Sequence, residues 1–179
     1  AEETLNVLKS EKSINGVDGV KYEPDRSITR AEFLTLFMSQ LNLEDNPYRG
    51  AYTDVSDGDW YAAKIQNSKD LGLISPLLTQ DGRFRPNEEI TREDACILAE
   101  SYAVYSGYEK TRENKVFADD AEISAYARES VYNAYERGII SGSDDGCFYP
   151  QGKLTRAEAA QILLGAMERK GRIAIFVDP

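Results

Sequence analysis

Three stretches of the chain place apolar residues at helical spacing. Phe33, Phe37 and Leu41 form one stripe. Ala95, Leu98, Ala99, Tyr102 and Tyr105 form a second, and Ala159, Ile162, Leu163, Ala166 and Met167 a third. Apolar positions three and four apart give a helix one face to bury, so each stretch predicts a core helix. Each is preceded by a variant of one pentapeptide: Ile28-Thr29-Arg30-Ala31-Glu32, Ile90-Thr91-Arg92-Glu93-Asp94 and Leu154-Thr155-Arg156-Ala157-Glu158. Thr29 with Glu32, and Thr155 with Glu158, are capping boxes; Thr91 with Asp94 is a weaker version. Shorter helices end ahead of Gly72 and Gly138, which suit left-handed cap positions. Gly171, after Lys170, suits the end of the last helix.

The motif arginines lie 62 and 64 residues apart (92 − 30 and 156 − 92). A period of that size means copies of one supersecondary unit. In the second copy Tyr52-Thr53-Asp54 and Trp60 precede a helix, Gly72-Leu73-Ile74-Ser75, a turn at Asp81-Gly82 and Phe84-Arg85-Pro86. The third runs Phe117-Ala118-Asp119, Tyr126, a helix, Gly138-Ile139-Ile140-Ser141-Gly142, Asp145-Gly146 and Phe148-Tyr149-Pro150. The first keeps only its later half, from Asn15-Gly16 to Tyr22-Glu23-Pro24. In all three the loop aromatic leads the motif by the same interval (22 to 28, 84 to 90, 148 to 154).

The copies span 1–50, 51–115 and 116–171 of a single domain covering 1–179. Phe176-Val177-Asp178 repeats the aromatic-x-Asp pattern that copy one lacks. The tail 172–179 is therefore expected to dock beside residues 2–15 and complete copy one. Helix pairs with little strand predict an all-α fold of three helix–loop–helix units. A pseudo-threefold arrangement with the motif helices at the centre is expected, although a linear stack also buries repeat faces.

Composition narrows the chemistry. A net charge of −10 argues against nucleic acid, whose binding needs a basic face. No apolar run approaches the roughly 18 residues that span a bilayer, so membrane insertion is not expected. With no histidine, Ser-His and Cys-His catalytic sets are impossible, and zinc is not expected. The acids include no distinctive pair set apart from the repeats, so an enzyme is not expected, nor a cofactor. Asp57, Asp59, Asp119, Asp120, Asp144 and Asp145 admit a calcium reading, but none follows an EF-hand pattern and solvated turns are expected. Cys96 and Cys147 stand in different contexts, which favours free thiols over a bridge. A processed mature form and a trimmed fragment both fit a chain that begins at Ala1.

Capping explains the threonines and acids of the motif, at about 0.5–2 kcal/mol each. The arginines are different, because the positive end of a helix dipole disfavours a cation there. Each calls for an anion: an acid of a neighbouring copy, or a ligand carboxylate or phosphate held by a forked guanidinium and free helix N–H groups. Trp60 and Tyr126 are either core residues or covers for the C–H face of a pyranose. Asp54 and Asp119 either accept sugar hydroxyls or cap the following helix.

The ordered set of aromatic-x-Asp, Trp, Gly-Leu/Ile-x-Ser, Asp-Gly-x-Phe-x-Pro and Thr-Arg-Ala-Glu resembles the S-layer homology (SLH) domain, over residues 2 to 178. The resemblance implies an extracellular module at a bacterial cell wall that anchors surface proteins by binding anionic, pyruvylated secondary cell-wall polysaccharide. Other surface-layer proteins are a further implied partner. The implied fold is a pseudo-trimer with grooves between units. The implied ligand residues are Arg30, Arg92, Arg156, Asp54, Trp60, Asp119 and Tyr126. The alternative is a protein–protein assembly module in which the arginines pair internally. Copy two departs from the pattern. It has Glu93-Asp94 for Ala-Glu, which adds an acid beside Arg92, and its loop after Ser75 is two residues longer and lacks the glycine found at Gly142. Only copy two has the Trp. One or two competent grooves are therefore expected.

Overall fold

The computed structural model describes residues 23–113 and 115–168. The expected Gly171 cap and the docking of 172–179 beside residues 2–15 lie outside the described residues. Among the described residues five α-helices form: α1 (Arg30–Ser39), α2 (Ala62–Asp70), α3 (Arg92–Tyr105), α4 (Arg128–Glu136) and α5 (Arg156–Glu168). Short 3-10 turns cover Pro76–Leu78 and Asp120–Glu122. Among the described residues there is no sheet, only isolated bridges, so the fold is all-α. No helix there is long and apolar enough to cross a membrane.

The motif helices begin where the capping pattern predicts. Thr29 and Glu32 make both bonds of a capping box at α1. Glu158 N–H donates to Thr155 Oγ1 at 3.2 Å, and Thr155 N–H to Glu158 Oε2 at 2.8 Å. At α3, Asp94 N–H donates to Thr91 Oγ1, but the shorter aspartate makes no bond back to Thr91. The helices ahead of the loops end as expected, with Gly72 at φ 69° and Gly138 at φ 72°, a left-handed conformation that glycine adopts without a Cβ clash.

The three motif helices pack against one another pairwise, α2 lies on α1, and α4 lies on α3. Just ahead of them the chain closes a hydrogen-bonded ring. Ile28 N–H donates to Leu154 O (2.9 Å), Leu154 N–H to Ile90 O (3.2 Å), and Ile90 N–H to Ile28 O (3.1 Å). The side chains of these same three residues are buried at its centre. Phe33, Phe84, Phe117 and Phe148 are fully buried around them. The predicted stripes are in the core except that Tyr105 is exposed and Leu41 only partly covered, while the Met167 side chain lies outside those described. Cys96 is buried, Cys147 half-buried, and both are free.

Glu32 ties copy one to copy three. It accepts from Arg26 at 2.5 Å and lies 3.7 Å from Arg156. Burial pushes its carboxyl up, but the bonds from Arg26 and the Thr29 N–H outweigh burial and hold it below the ordinary carboxylate range. A depressed folded pKa contributes stability above the unfolded value, about 4.3, which is lost as pH falls through the folded value. Glu32→Gln keeps a capping side chain but cannot titrate. Denaturant midpoints measured from about pH 5 to pH 3 should fall less steeply for the variant. Parallel acid limbs would remove Glu32 from the acid response.

Candidate functional site

The helix N-termini are not open. Arg30 N–H donates to Glu88 O and Ala31 N–H to Pro86 O; Arg92 and Glu93 donate to Gly152 O and Pro150 O; Arg156 and Ala157 donate to Arg26 O and Pro24 O. The third N–H of each helix goes to its own threonine hydroxyl. The free N–H groups expected at these helix starts are therefore spent on a neighbouring copy. The reason is geometric. The Phe-x-Pro segment of one copy runs alongside the helix start of another, and its carbonyls reach the donors first.

The aspartates Asp54 and Asp119 hold those segments in place. Phe84 and Arg85 N–H both donate to the Asp54 carboxylate at 2.8 Å. Phe148 and Tyr149 N–H donate to Asp119 at 2.7 and 2.6 Å. Arg85 (φ 58°) and Tyr149 (φ 59°) are in the left-handed region, which is costly for a residue with a Cβ. Successive N–H groups turned to one side in this way make an anion nest, and the carboxylate fills it. Neither aspartate caps the helix that follows: the residues at those caps are Tyr61 and Ala127, without side-chain caps.

Each motif arginine reaches into the next copy and meets that copy's pentapeptide acid. Arg30 lies 2.7 Å from Asp94, Arg92 3.3 Å from Glu158, and Arg156 3.7 Å from Glu32. The three are not equal. Arg30 is 4% exposed, and its other nitrogens donate to Phe84 O at 2.8 Å and Leu78 O at 3.4 Å. Burial lowers its pKa, and Asp94 opposes that shift. Arg92 donates through Nε to Phe148 O at 2.9 Å, but its side chain is 19% exposed and Glu158's 41%. For Arg156 the loop aromatic of copy one, Tyr22, lies outside the described residues.

Two grooves hold Arg92 and Arg30. One, of about 420 Å³, is lined by Arg92, Glu158, the segment Gly138 to Gly142, and Gly165 of α5. Among the described residues, the backbone N–H groups of Ile140, Ser141 and Gly142 have no acceptor. Both glycines permit close approach. A Cβ at Gly142 would stand 2.8 Å from the Phe117 ring, and one at Gly165 3.0 Å from Ile139 O. The other groove, of about 490 Å³, draws on all three copies: Arg30 from the first, Leu77 to Arg85 and Asp94 from the second, Tyr126 from the third. The aromatic in the Arg30 groove thus comes from copy three, not from the arginine's own copy.

Tyr126 is 40% exposed. Its hydroxyl stands 3.0 Å from Glu93 Oε1 and 2.9 Å from Asp94 Oδ1, so its single proton serves one carboxylate at a time. Burial, and then the two acids, push its ionisation well above the usual tyrosine range. Trp60 is 64% exposed and touches Tyr61 edge-on at 5.2 Å, so it is no core residue. Glu93, expected beside Arg92, is instead 1% exposed and faces copy three. It accepts from Ser124 N–H (3.0 Å), Ser124 Oγ (2.8 Å) and Gln151 Nε2 (2.7 Å). These three donors at a helix N-terminus, joined by the Tyr126 hydroxyl when its proton points to Glu93, offset the loss of solvation without a cation. No sequence signal marks Ser124 or Gln151 as its partners. Among the described residues, no three acidic or cysteine side chains gather as metal ligands.

A chain with three bonded copies and an arginine crossing each junction was compared with known proteins. The S-layer homology domain matches residues 1–34, 51–96 and 116–160. The chain belongs to that family. It is 39% identical over 97% of its length to an amylopullulanase of Thermoanaerobacterium thermosulfurigenes, of which it covers 9%. It is 30% identical over 98% of its length to the S-layer protein sap of Bacillus anthracis, covering 21% of that protein. It is 26% identical over 92% of its length to a cellulosome-anchoring protein of Acetivibrio thermocellus, covering 38%. The chain thus spans a small part of each relative. The SLH region is what it shares with the amylopullulanase, and that enzyme's catalysis is not part of the likeness.

Proposed function

We propose that this SLH domain fastens the polypeptide that carries it to the outside of a bacterial cell wall. It does so by binding an anionic, pyruvylated secondary cell-wall polysaccharide, and it performs no catalysis. The observation that supports this best is the Arg92 groove, where a part-exposed guanidinium shares a crevice with three backbone N–H groups lacking acceptors. A ketal carboxylate there would take charge-assisted bonds from Arg92 and neutral ones from the loop. Arg156 would serve a second such site. Trp60 and Tyr126 would cover sugar faces, and Asp54 and Asp119 would act by fixing the loops that line the grooves. The same reading takes the copies as units 1–50, 51–115 and 116–171 in pseudo-threefold arrangement, an idea supported by the closed ring at Ile28, Ile90 and Leu154.

One observation favours the assembly reading: every motif arginine has a carboxylate of the next copy within 4 Å. Calorimetry separates the two. Native wall polysaccharide should release heat on binding, and polysaccharide stripped of its pyruvate ketal should bind at least about tenfold more weakly. Equal binding of both would sink the anionic reading. No heat from either would leave the assembly module.

A further inference from the structure

The Arg30 groove differs from the Arg92 groove in its loop and its charge, although Ile74 and Ser75, the counterparts of Ile140 and Ser141, also have no acceptor for their N–H groups among the described residues. Copy two has Pro76 where copy three has Gly142, and proline has no N–H to donate. The longer loop folds into the Pro76–Leu78 turn, where Leu77 N–H donates to Ser75 Oγ and Leu78 N–H to Ser75 O. That turn aims the Leu78 carbonyl at Arg30. With Phe84 O and Asp94 on its other nitrogens, the guanidinium has an acceptor on all three. The second cation, Arg85, lies 2.5 Å from Asp81 and 3.9 Å from Glu88. Two arginines therefore face three carboxylates in the lining, a net charge of −1 (2 − 3). Both arginines meet a pentapeptide acid and a loop-aromatic carbonyl; the extra loop residues of copy two add a third acceptor, Leu78 O, to Arg30, while the third nitrogen of Arg92 has none among the described residues.

What remains in this groove fits an uncharged polyol. The ring of Tyr126 and the exposed side chain of Leu77 offer apolar surface to a pyranose C–H face. Ionised Asp and Glu are acceptors only, and each has two oxygens, which suits neighbouring hydroxyl donors. An incoming carboxylate would instead meet a net negative lining and a guanidinium whose three nitrogens already each have an acceptor.

We infer that the Arg30 groove is a subsite for a neutral sugar residue, and that Pro76 and Asp94 exclude an anion from it. This rests on the reading that the domain binds wall polysaccharide. It makes the two grooves unlike: one reads the ketal, the other an unmodified residue of the same polymer.

The test is amide chemical-shift mapping of the whole isotope-labelled chain. The first probe is wall oligosaccharide, native and after removal of its pyruvate ketal. Ketal-free oligosaccharide should shift Leu77, Leu78 and Gln80 and leave Ile140 to Gly142 still; native oligosaccharide should shift both sets. Unmoved Leu77 to Gln80 with either oligosaccharide overturns the inference, even if Ile140 to Gly142 respond to the native one. If Ile140 to Gly142 respond no more to native than to ketal-free material, the anionic reading fails instead, and the neutral subsite stands or falls on Leu77 to Gln80. The second probe is methyl glucopyranoside carrying a pyruvate ketal, which should shift Ile140 to Gly142 alone. Shifts at Leu77 to Gln80 of equal size would overturn the exclusion. In Asp94→Asn the ketal glycoside should gain access and shift Leu77 to Gln80; an unchanged pattern there removes Asp94 as the excluding group.

Discussion

Arg30→Ala should destabilise the domain by about 3–5 kcal/mol, the range for removing one partner of a buried ion pair. The figure applies because the arginine is only 4% exposed and is paired with a carboxylate at 2.7 Å. Its loss removes the cation from Asp94, which keeps only the Tyr126 hydroxyl, and leaves Phe84 O and Leu78 O without the donor, and a buried acceptor left unpaired costs its full desolvation. The cation also lies 5.3 Å from the Phe84 ring centroid, so truncation removes packing as well as charge. Arg30→Lys should recover only part of the loss, since a point charge cannot serve three acceptors with the geometry of a fork. Urea unfolding at a constant slope provides the measurement. A midpoint shift no larger than that of Arg92→Ala would refute the assignment of Arg30 as a structural tie.

The difference between these arginines was only partly legible in the chain. Capping is local, so Thr29 with Glu32 announced α1, and Thr155 with Glu158 announced α5, without any knowledge of the rest. The puzzle of a cation at a helix start was also readable, and its answer by an anion was correct in kind. Which anion was not readable, because Arg30 and Asp94 are 64 positions apart and Arg92 and Glu158 are 66 apart. The pentapeptide acid has two oxygens. In Glu158, one caps Thr155 while the other faces Arg92; a pattern read along one copy sees only the first. Asp94 is too short to do both, and it gives up the back-bond to keep Arg30. The same limit hid the role of Asp54 and Asp119, whose partners lie about 30 positions on, across the loop they hold.

These contacts also change what a missing aromatic means. Taken along the chain, copy one is deficient because it has no Trp60 or Tyr126 equivalent. In space Tyr126 serves the groove of Arg30, while the Arg92 groove, which would look to copy one for its aromatic, is the one built from backbone donors. On the proposed reading, aromatic cover and anion recognition are thus separated between the two grooves. The single tryptophan stays exposed on copy two, outside the residues that line either of them.

Arg92→Ala should weaken binding of the native polysaccharide about 10- to 100-fold, the loss of one or two charge-assisted hydrogen bonds at about 1.5–3 kcal/mol. Its effect on stability should stay at about 1–2 kcal/mol, because Glu158 is 41% exposed and can hydrate, which leaves the lost hydrogen bond to Phe148 O as the main cost. Calorimetry and urea unfolding of the same variant separate the two effects. A large midpoint shift with unchanged affinity would place Arg92 with Arg30 as a tie and empty the proposed site. Glu158→Gln gives the opposite sign. Glutamine preserves the capping box at Thr155 but removes the carboxylate that competes for the guanidinium, so affinity for the anionic polymer should rise. That rise should vanish with ketal-free polysaccharide, which has no carboxylate to take the place Glu158 leaves. A general increase in surface attraction would raise both, so the contrast between the two polymers isolates the exchange of one carboxylate for another at Arg92.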